Sequence, residues 1–214
     1  MISFYDMLDF SRNWALGIAT VVELGDATRN HLEVVGIWSA ELAKRIGMDE
    51  VDAGWLGVAA TLHDVGKGAI PRELWLKNGP FLDQEREYIK AHTEFGVTML
   101  ERIEDFGRAF VPVALLKKAQ EIAQYHHENW DGSGYPRGLS GDNIPLSARI
   151  VKIADVADAL LSKRPYKPAW SLADTERELR EKSGSEFDPH LVAHFLKGGL
   201  ESWLELSSCS SRAR

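Results

Sequence analysis

The sequence has little of several features that mark particular protein classes. It contains one cysteine, Cys209, so no disulfide can form within the chain, and a cytoplasmic location is expected. No run approaches about eighteen consecutive apolar residues, so no membrane span is predicted. The N-terminus lacks a basic start followed by an apolar block, which argues against a secretory signal.

The charge balance lacks a basic excess. The formal net charge is −7, from 25 basic and 32 acidic residues. Proteins that bind polymeric nucleic acid are usually basic, so that class is disfavoured. A small anionic substrate is still compatible with the chain, because local cations or a bound metal can override the global field.

Strand alternation is absent too, and the chain has neither an internal repeat nor a low-complexity linker. Apolar residues instead recur at three- and four-residue steps, which predicts an all-α fold, a compact multi-helix bundle with functional loops at one end. The predicted helices cover 3–22, 28–46, 51–64, 84–103, 113–128, 145–162, 171–183 and 188–197, the last beginning at an Asp-Pro pair. The final dozen residues, "WLELSSCSSRAR", are expected to be frayed.

Four histidines fall on helical faces that are predicted to be buried: His31, His63, His92 and His126. A single histidine in such a position is more often a hydrogen-bonded core residue than a metal ligand. Burying several imidazoles without partners costs about 1–3 kcal/mol each. A domain with a total stability of roughly 5–15 kcal/mol needs something that compensates for this cost.

A metal ion would compensate directly, and carboxylates are available beside the histidines. Asp64 follows His63, and Asp155 lies in the predicted helix "LSARIVKIADVADAL". Adjacent helical residues point about 100° apart, so residues 63–64 and 126–127 can each reach two sides of one cluster. Mixed histidine and carboxylate ligands favour iron, manganese or other first-row metals over structural zinc. Two ions about 3.5–4 Å apart suit in-line hydrolysis of a phosphate ester.

Two motifs, "HDVGK" at 63–67 and "HHENWDGSGYP" at 126–136, resemble the HD-GYP domain, a branch of the HD phosphohydrolases. The stretches "IPLSARIVKIADVADAL", "RPYK" and "GSEFDPHLV" resemble the same family in the same order. The resemblance spans roughly residues 25–198. It leaves 1–24 as an N-terminal helical extension and 199–214 as a C-terminal tail.

The resemblance implies an HD-type bundle with a metal site among its helices. It also implies an activity: the hydrolysis of cyclic di-GMP, a bacterial second messenger of signal transduction, to pGpG or GMP by metal-activated water. It also implies two divalent ions, usually iron or manganese, with Asp64 bridging them. The implied ligands are His31, His63, Asp64 and Asp155 for one ion, and His92, His126 and His127 for the other.

Other positions acquire a catalytic or substrate-binding interpretation beside these ligands. Lys67 is expected to bind the scissile phosphate or to protonate the leaving oxygen, although a lysine here could also satisfy helix-end carbonyls. In the turn, Gly132 and Gly134 are expected to provide positive φ and close backbone approach to a ligand. Tyr135 would present a ring near the nucleotide, and Pro136 would stiffen the exit from the turn. Arg164 and Lys167 in "RPYK" are expected to bind a substrate phosphate.

The sequence departs from the family pattern at two positions. Ala27 stands where many relatives have a glutamate that supports a third metal, and Val34 stands where they often have an arginine. Two metals are therefore expected rather than three. Three alternatives stay open: a non-catalytic module that binds cyclic di-GMP or docks onto diguanylate cyclases (GGDEF proteins), a phosphodiesterase for cyclic GMP-AMP, and a generic HD phosphohydrolase acting on nucleotides.

Overall fold

A computed structural model describes residues 3–23, 26–75, 77, 79–107, 111–163 and 168–212, and these contain helices and no strand. The predicted all-α fold is confirmed. Two short 3-10 segments, Val65–Ala69 and Gly141–Asn143, join the α-helices. The helices are α1 Phe4–Glu23, α2 Asp26–Arg45, α3 Glu50–Ala60, α4 Arg72–Trp75, α5 Asp83–Lys90, α6 His92–Gly107, α7 Val113–Tyr125, α8 Leu146–Leu161, α9 Leu172–Glu181, α10 Pro189–Leu196 and α11 Glu201–Arg212.

Helix α2 lies at the centre of the bundle, in contact with α1, α3, α8, α10 and α11. Its buried face carries Leu32, Val35, Trp38 and Leu42, none of which is exposed. Burying a side chain of this size stabilises the fold by about 1.5–3 kcal/mol. The same helix carries His31, so the central element of the core also reaches the candidate site.

Local sequence signals explain where several helices begin. Asp49 caps α3, accepting hydrogen bonds from the backbone of Val51 and Asp52 at 3.0 Å each. Asp188 caps α10 in the predicted Asp-Pro start, accepting from the backbone of His190 at 2.9 Å. Such caps satisfy donors that a helix start leaves unpaired, each stabilising by roughly 1 kcal/mol.

The single helix predicted over 84–103 is instead two helices, α5 and α6, which meet at Ala91. The interruption is local, because Ala91 N–H still donates to Glu87 O at 3.2 Å and Phe95 N–H to Ala91 O at 2.9 Å. No glycine or proline marks it in the sequence, so the pattern alone could not predict it.

The expectation that the final dozen residues are frayed is wrong for 203–212, which belong to α11, while residues 213–214 lie outside the described residues. Trp203 is fully buried, and its indole N–H donates to Phe195 O at 2.7 Å. Arg45 lies over the same indole, 4.1 Å from its centroid. The buried side chain of Trp203 therefore holds α11 on the core, although the serine-rich sequence of this segment indicates poor packing.

Two helices stop three or four residues earlier than predicted, and both stops bear on the site. The helices expected to reach residues 64 and 128 end at Ala60 and Tyr125. His63 and His126 therefore lie just beyond the carboxyl ends of α3 and α7. None of the helices in the described part of the chain combines the length and apolar character needed to cross a membrane.

Candidate metal centre and active site

The seven predicted ligands, scattered over the sequence, come together in the structure as two adjoining groups. Within each group the potential ligand atoms lie within 4.8 Å of one another. Asp64 joins the groups, since its carboxylate lies 3.1 Å from His63 Nε2 and 3.3 Å from His92 Nε2. The groups are Asp64, His92, His126 and His127, and His31, His63 and Asp155.

Glycines allow the backbones that carry these ligands to approach closely. Helices α2 and α3 cross at Gly36 and Gly57, where a Cβ atom on either residue would lie 2.7 Å from the carbonyl oxygen of the other. A Cβ on Gly66 would lie 1.9 Å from His92 O and 2.4 Å from Gly96 N. No side chain fits at either contact. The "HDVGK" turn is thereby held directly against the start of α6.

Three buried imidazoles share one hydrogen-bonding arrangement. His63 Nδ1 donates to Ala60 O at 2.8 Å, His92 Nδ1 donates to Ile89 O at 2.7 Å, and His126 bonds its own preceding turn in the same way. A carbonyl oxygen can only accept, so the proton is on Nδ1, and in the neutral imidazole the lone pair is then on Nε2. Each Nε2 atom is buried and has no hydrogen-bond partner. This is the orientation that ligating histidines adopt.

Asp64 supplies the negative charge among these rings. Burial would raise its pKa, but the Lys67 ammonium and His63 hold the pKa of this carboxyl well below its usual range. One oxygen, Oδ2, pairs with Lys67, and the other, Oδ1, is buried without a hydrogen-bond partner. The ionised carboxylate thus lies next to three imidazoles, with Oδ1 3.3 Å from His92 Nε2 and 3.6 Å from His126 Nε2, and Oδ2 3.1 Å from His63 Nε2.

The donor set fits a divalent cation. Four buried atoms without hydrogen bonds, three Nε2 and one Oδ1, lie together, and each would cost about 1–3 kcal/mol if left unpaired. Helices α3 and α7 both end at this place, and the carboxyl end of a helix carries partial negative charge that favours a cation. Nitrogen and oxygen donors without thiolates suit first-row metals.

His31 sits between two aspartates of α8. Its Nε2 lies 3.3 Å from Asp155 Oδ1, and its Nδ1 donates to Asp158 Oδ2 at 2.5 Å. Burial alone would lower the pKa of His31, but the hydrogen bonds to both aspartates raise it to about 10. Asp158 was not predicted from the sequence. The available signal was its position one helical turn after Asp155, which puts both carboxylates on one face.

The second adjacent histidine faces the turn that the sequence singled out. The ring of His127 stacks on that of Tyr135, with centroids 4.7 Å apart and planes 18° apart. Burial and the neighbouring His126 hold the pKa of His127 well below its usual range, which favours the neutral imidazole that a metal requires. Lys90 Nζ lies 5.6 Å from the Tyr135 ring centroid, at the rim of the site.

The two glycines of this turn have different roles. Gly132 has φ of +86°, as predicted. The positive φ predicted for Gly134 is wrong, because this residue packs against the chain's own backbone. A Cβ there would lie 2.3 Å from Asn129 N and 2.5 Å from His127 O. Gly134 therefore makes its close approach to the backbone that carries the histidines. The peptide bond between Tyr135 and the half-buried Pro136 is cis.

Lys67 lies beside Asp64, at the edge of the cluster. Its ammonium pairs with Asp64 and lies 5.2 Å from the ring centroid of Trp75, a contact that the sequence did not indicate. The two predicted phosphate-binding residues of "RPYK", Arg164 and Lys167, lie outside the described residues, and so does the side chain of Ala27.

Comparison with known proteins bears on the family. The HD domain model matches residues 7–191 of this chain. A cyclic di-GMP phosphodiesterase of Thermotoga maritima is 42% identical over 170 residues, which are 79% of this chain and 44% of that protein. A 3'3'-cGAMP-specific phosphodiesterase 2 of Vibrio cholerae is 39% identical over 193 residues, 90% of this chain and 35% of that protein. The chain thus spans less than half the length of these curated relatives.

A solved structure shares the fold. An HDG"Y"P protein from Bdellovibrio bacteriovorus aligns with a TM-score of 0.59 and 18% identity, over 92% of this chain and 65% of that one. At this identity the likeness establishes the architecture alone. The HD-type helical bundle expected from the sequence is confirmed.

Proposed function

Since the chain belongs to the HD domain family and its resemblance to the HD-GYP branch is confirmed, we propose that it is a metal-dependent phosphodiesterase that hydrolyses cyclic di-GMP to pGpG, GMP or both. One observation carries the proposal. Three buried imidazole nitrogens and one buried carboxylate oxygen, all without hydrogen-bond partners, lie in two adjoining groups where α3 and α7 end and α6 begins.

The HD domain family binds divalent metals, and the described residues contain a matching His/Asp cluster. We propose that this cluster would hold two ions, iron or manganese, and that Asp64 would serve as a ligand in both groups. When bound, such ions lower the pKa of a water molecule and offset the charge that develops on phosphate oxygens. The residues that would hold them are His31, His63, Asp64 and Asp155 on one side, and His92, His126 and His127 on the other.

Lys67 would hold a proton beside this centre. Its ion pair with Asp64 favours the charged ammonium, because an opposite charge at this distance stabilises the charged form. In the proposed reaction this ammonium binds the scissile phosphate or protonates the leaving oxygen. The Trp75 ring supports the same charge through a cation–π contact.

The substrate would lie along the turn that carries Tyr135. In this proposal Tyr135, Gly134 and Pro136 form one wall of the binding site, with Lys90 at its rim. Arg164 and Lys167 are proposed phosphate ligands on the strength of the sequence alone. Several cations around an acidic protein's site explain how it would accept an anionic dinucleotide.

Cyclic GMP-AMP is the second candidate substrate, because the Vibrio cholerae relative named for cGAMP aligns over 90% of this chain. A module that binds cyclic di-GMP or docks onto GGDEF diguanylate cyclases without turnover is the non-catalytic alternative. We retain as further proposals a cytoplasmic location and a domain at 25–198, flanked by an extension at 1–24 and a tail at 199–214.

The direct test is incubation of the purified chain with cyclic di-GMP and Fe(II) or Mn(II) under reducing conditions, followed by separation of the nucleotides. Linear pGpG or GMP is expected, and their absence would contradict the proposal. A competition between cyclic di-GMP and cyclic GMP-AMP then ranks the two substrates.

Matched histidine variants show whether the product comes from this cluster. His63→Ala and Asp64→Ala should abolish turnover, because each removes a proposed ligand. His190→Ala, a change on the exposed face of α10 outside the cluster, should leave turnover unchanged. Tight nucleotide binding without product in the unsubstituted chain would favour the non-catalytic alternative.

A further inference from the structure

The turn that carries Tyr135 folds back onto its own starting point. Tyr135 N–H donates to His127 O at 3.3 Å, and the two rings stack. Gly134 lies against the backbone of residues 127–129, where no side chain would fit. The position of Tyr135 over His127 therefore depends on how firmly the loop that follows His127 is closed.

Glu128 closes this loop. Its carboxylate accepts from Arg137 N at 2.7 Å through one oxygen and from Leu139 N at 3.0 Å through the other. Glu128 is 1% exposed, although in the sequence it stands directly between the two adjacent histidines and a surface turn. Backbone hydrogen bonds to a buried carboxylate are charge-assisted, and they are stronger than bonds between neutral groups.

The same geometry explains why a third potential ligand in "HHE" stays out of the cluster. A carboxylate directly after two histidines would ordinarily be a metal-ligand candidate. Both oxygens of Glu128 are instead engaged by backbone donors on the far side of the loop. Among the described residues, the groups whose donor atoms converge include His126 and His127 but not Glu128.

We propose that Glu128 is a positioning residue: it ties the two ends of the 128–139 loop together and so holds Tyr135 against His127. The functional consequence rests on the proposed function. A loosened loop would weaken both the binding of a nucleotide beside Tyr135 and the retention of a metal by His127. The ligands of the other group, His31, His63 and Asp155, are carried by other segments of the chain and would be affected less.

Glu128→Gln tests this with little change in shape. Glutamine has one acceptor oxygen, so its amide group would oppose one of the two backbone N–H donors. Loss of a hydrogen bond to a charged group predicts amide hydrogen exchange at Arg137 and Leu139 that is about tenfold faster. KM for cyclic di-GMP should rise by about tenfold as well, with a smaller change in kcat.

Glu94→Gln is the matched control. Glu94 contacts the same loop through the side chain of Arg137, at 3.3 Å, but it is more than half exposed. An exposed pair of this kind contributes little, so exchange and KM should stay at the unsubstituted values. Equal effects of Glu94→Gln and Glu128→Gln would overturn the proposal, because the buried carboxylate would then have no special role.

Two further outcomes would overturn the proposal. If the Arg137 and Leu139 amides of the unsubstituted chain exchange as fast as exposed loop amides, the proposal fails, even if Glu128→Gln does not fold. Fast exchange in a folded Glu128→Gln protein that keeps its KM and bound manganese would also overturn it.

If the unsubstituted chain hydrolyses no cyclic dinucleotide, the proposed function fails. The exchange rates and manganese content then still test the role of Glu128.

Discussion

Two clusters of aromatic rings lie along the same helix, α2, and they differ in how their polar atoms are satisfied. His31 packs against His63 with ring centroids 5.7 Å apart, and Trp38 packs against Trp203 with centroids 6.0 Å apart. In the tryptophan cluster, Trp38 Nε1 donates to Trp203 O at 2.9 Å and Trp203 Nε1 to Phe195 O at 2.7 Å. In the histidine cluster, three buried Nε2 atoms have no such partner.

The difference separates packing from function within one core. Buried polar ring atoms that serve stability are hydrogen-bonded inside the protein, because leaving them unpaired costs free energy. Buried ring nitrogens that surround one carboxylate without a hydrogen bond indicate a site for a metal ion. Substitutions should therefore divide into those that change the free energy of unfolding and those that change metal binding.

The largest expected effect on stability is in the tryptophan cluster. Trp203→Ala should lower the free energy of unfolding by about 3–5 kcal/mol, because it removes a fully buried ring and leaves a cavity. Urea denaturation followed by circular dichroism measures this. Leu204→Ala, the neighbouring residue at 41% exposure, should change stability by about 0.5 kcal/mol or less. Equal losses in both variants would contradict the comparison.

Metal removal should act on the other cluster alone. Manganese at about 100 times its Kd should raise the free energy of unfolding of the chelator-treated chain by about 2.7 kcal/mol, since the ion binds the folded state. His126→Ala should lose this increment. Trp203→Ala should keep it, although that variant starts from a lower stability. Thermal unfolding with and without metal measures each case, and an unchanged increment in His126→Ala would contradict the assignment.

A smaller effect is expected where a carboxylate orients a proposed ligand. Asp158→Asn should lower metal affinity about 10- to 100-fold, because the amide no longer fixes His31 through a charged hydrogen bond. Calorimetric titration with manganese measures it. Ser162→Ala is the control, since Ser162 bonds the other oxygen of the same carboxylate at 3.2 Å and should matter less. An unaltered affinity in Asp158→Asn would remove Asp158 from the site.

Much of the cluster could be predicted, because helical phase placed His31, His63, His92 and His126 on buried faces. Adjacency to two of these histidines added Asp64 and His127, a predicted helix offered Asp155, and the family motifs then implied which ion each residue would hold. Asp158 lies one helical turn after Asp155, but this spacing alone does not distinguish it among 32 acidic residues, since its inward position depends on α8 docking against α2. The carboxylate of Glu128 was missed for a similar reason, because its partners are backbone groups that only loop closure brings near.

The fold was predicted in its class and in most helix positions, and the exceptions have tertiary causes. Ala91 interrupts a helix without any breaker in the sequence, at the place where the next residue's carbonyl meets Gly66. Helix α11 forms in a serine-rich segment because Trp203 reaches the core. The expectation for Gly134 was wrong in its backbone angle because sequence does not show which backbone a glycine will touch.

The crossing of α2 and α3 at Gly36 and Gly57 has one more consequence. No side chain separates the two main chains there. One helix therefore cannot move towards the other by repacking of side chains between them. His31 extends from one of these helices, and His63 lies just beyond the end of the other. The gap between the two imidazoles is therefore fixed by peptide groups in direct contact. A single methyl group added at this crossing would push the two helices apart and widen that gap.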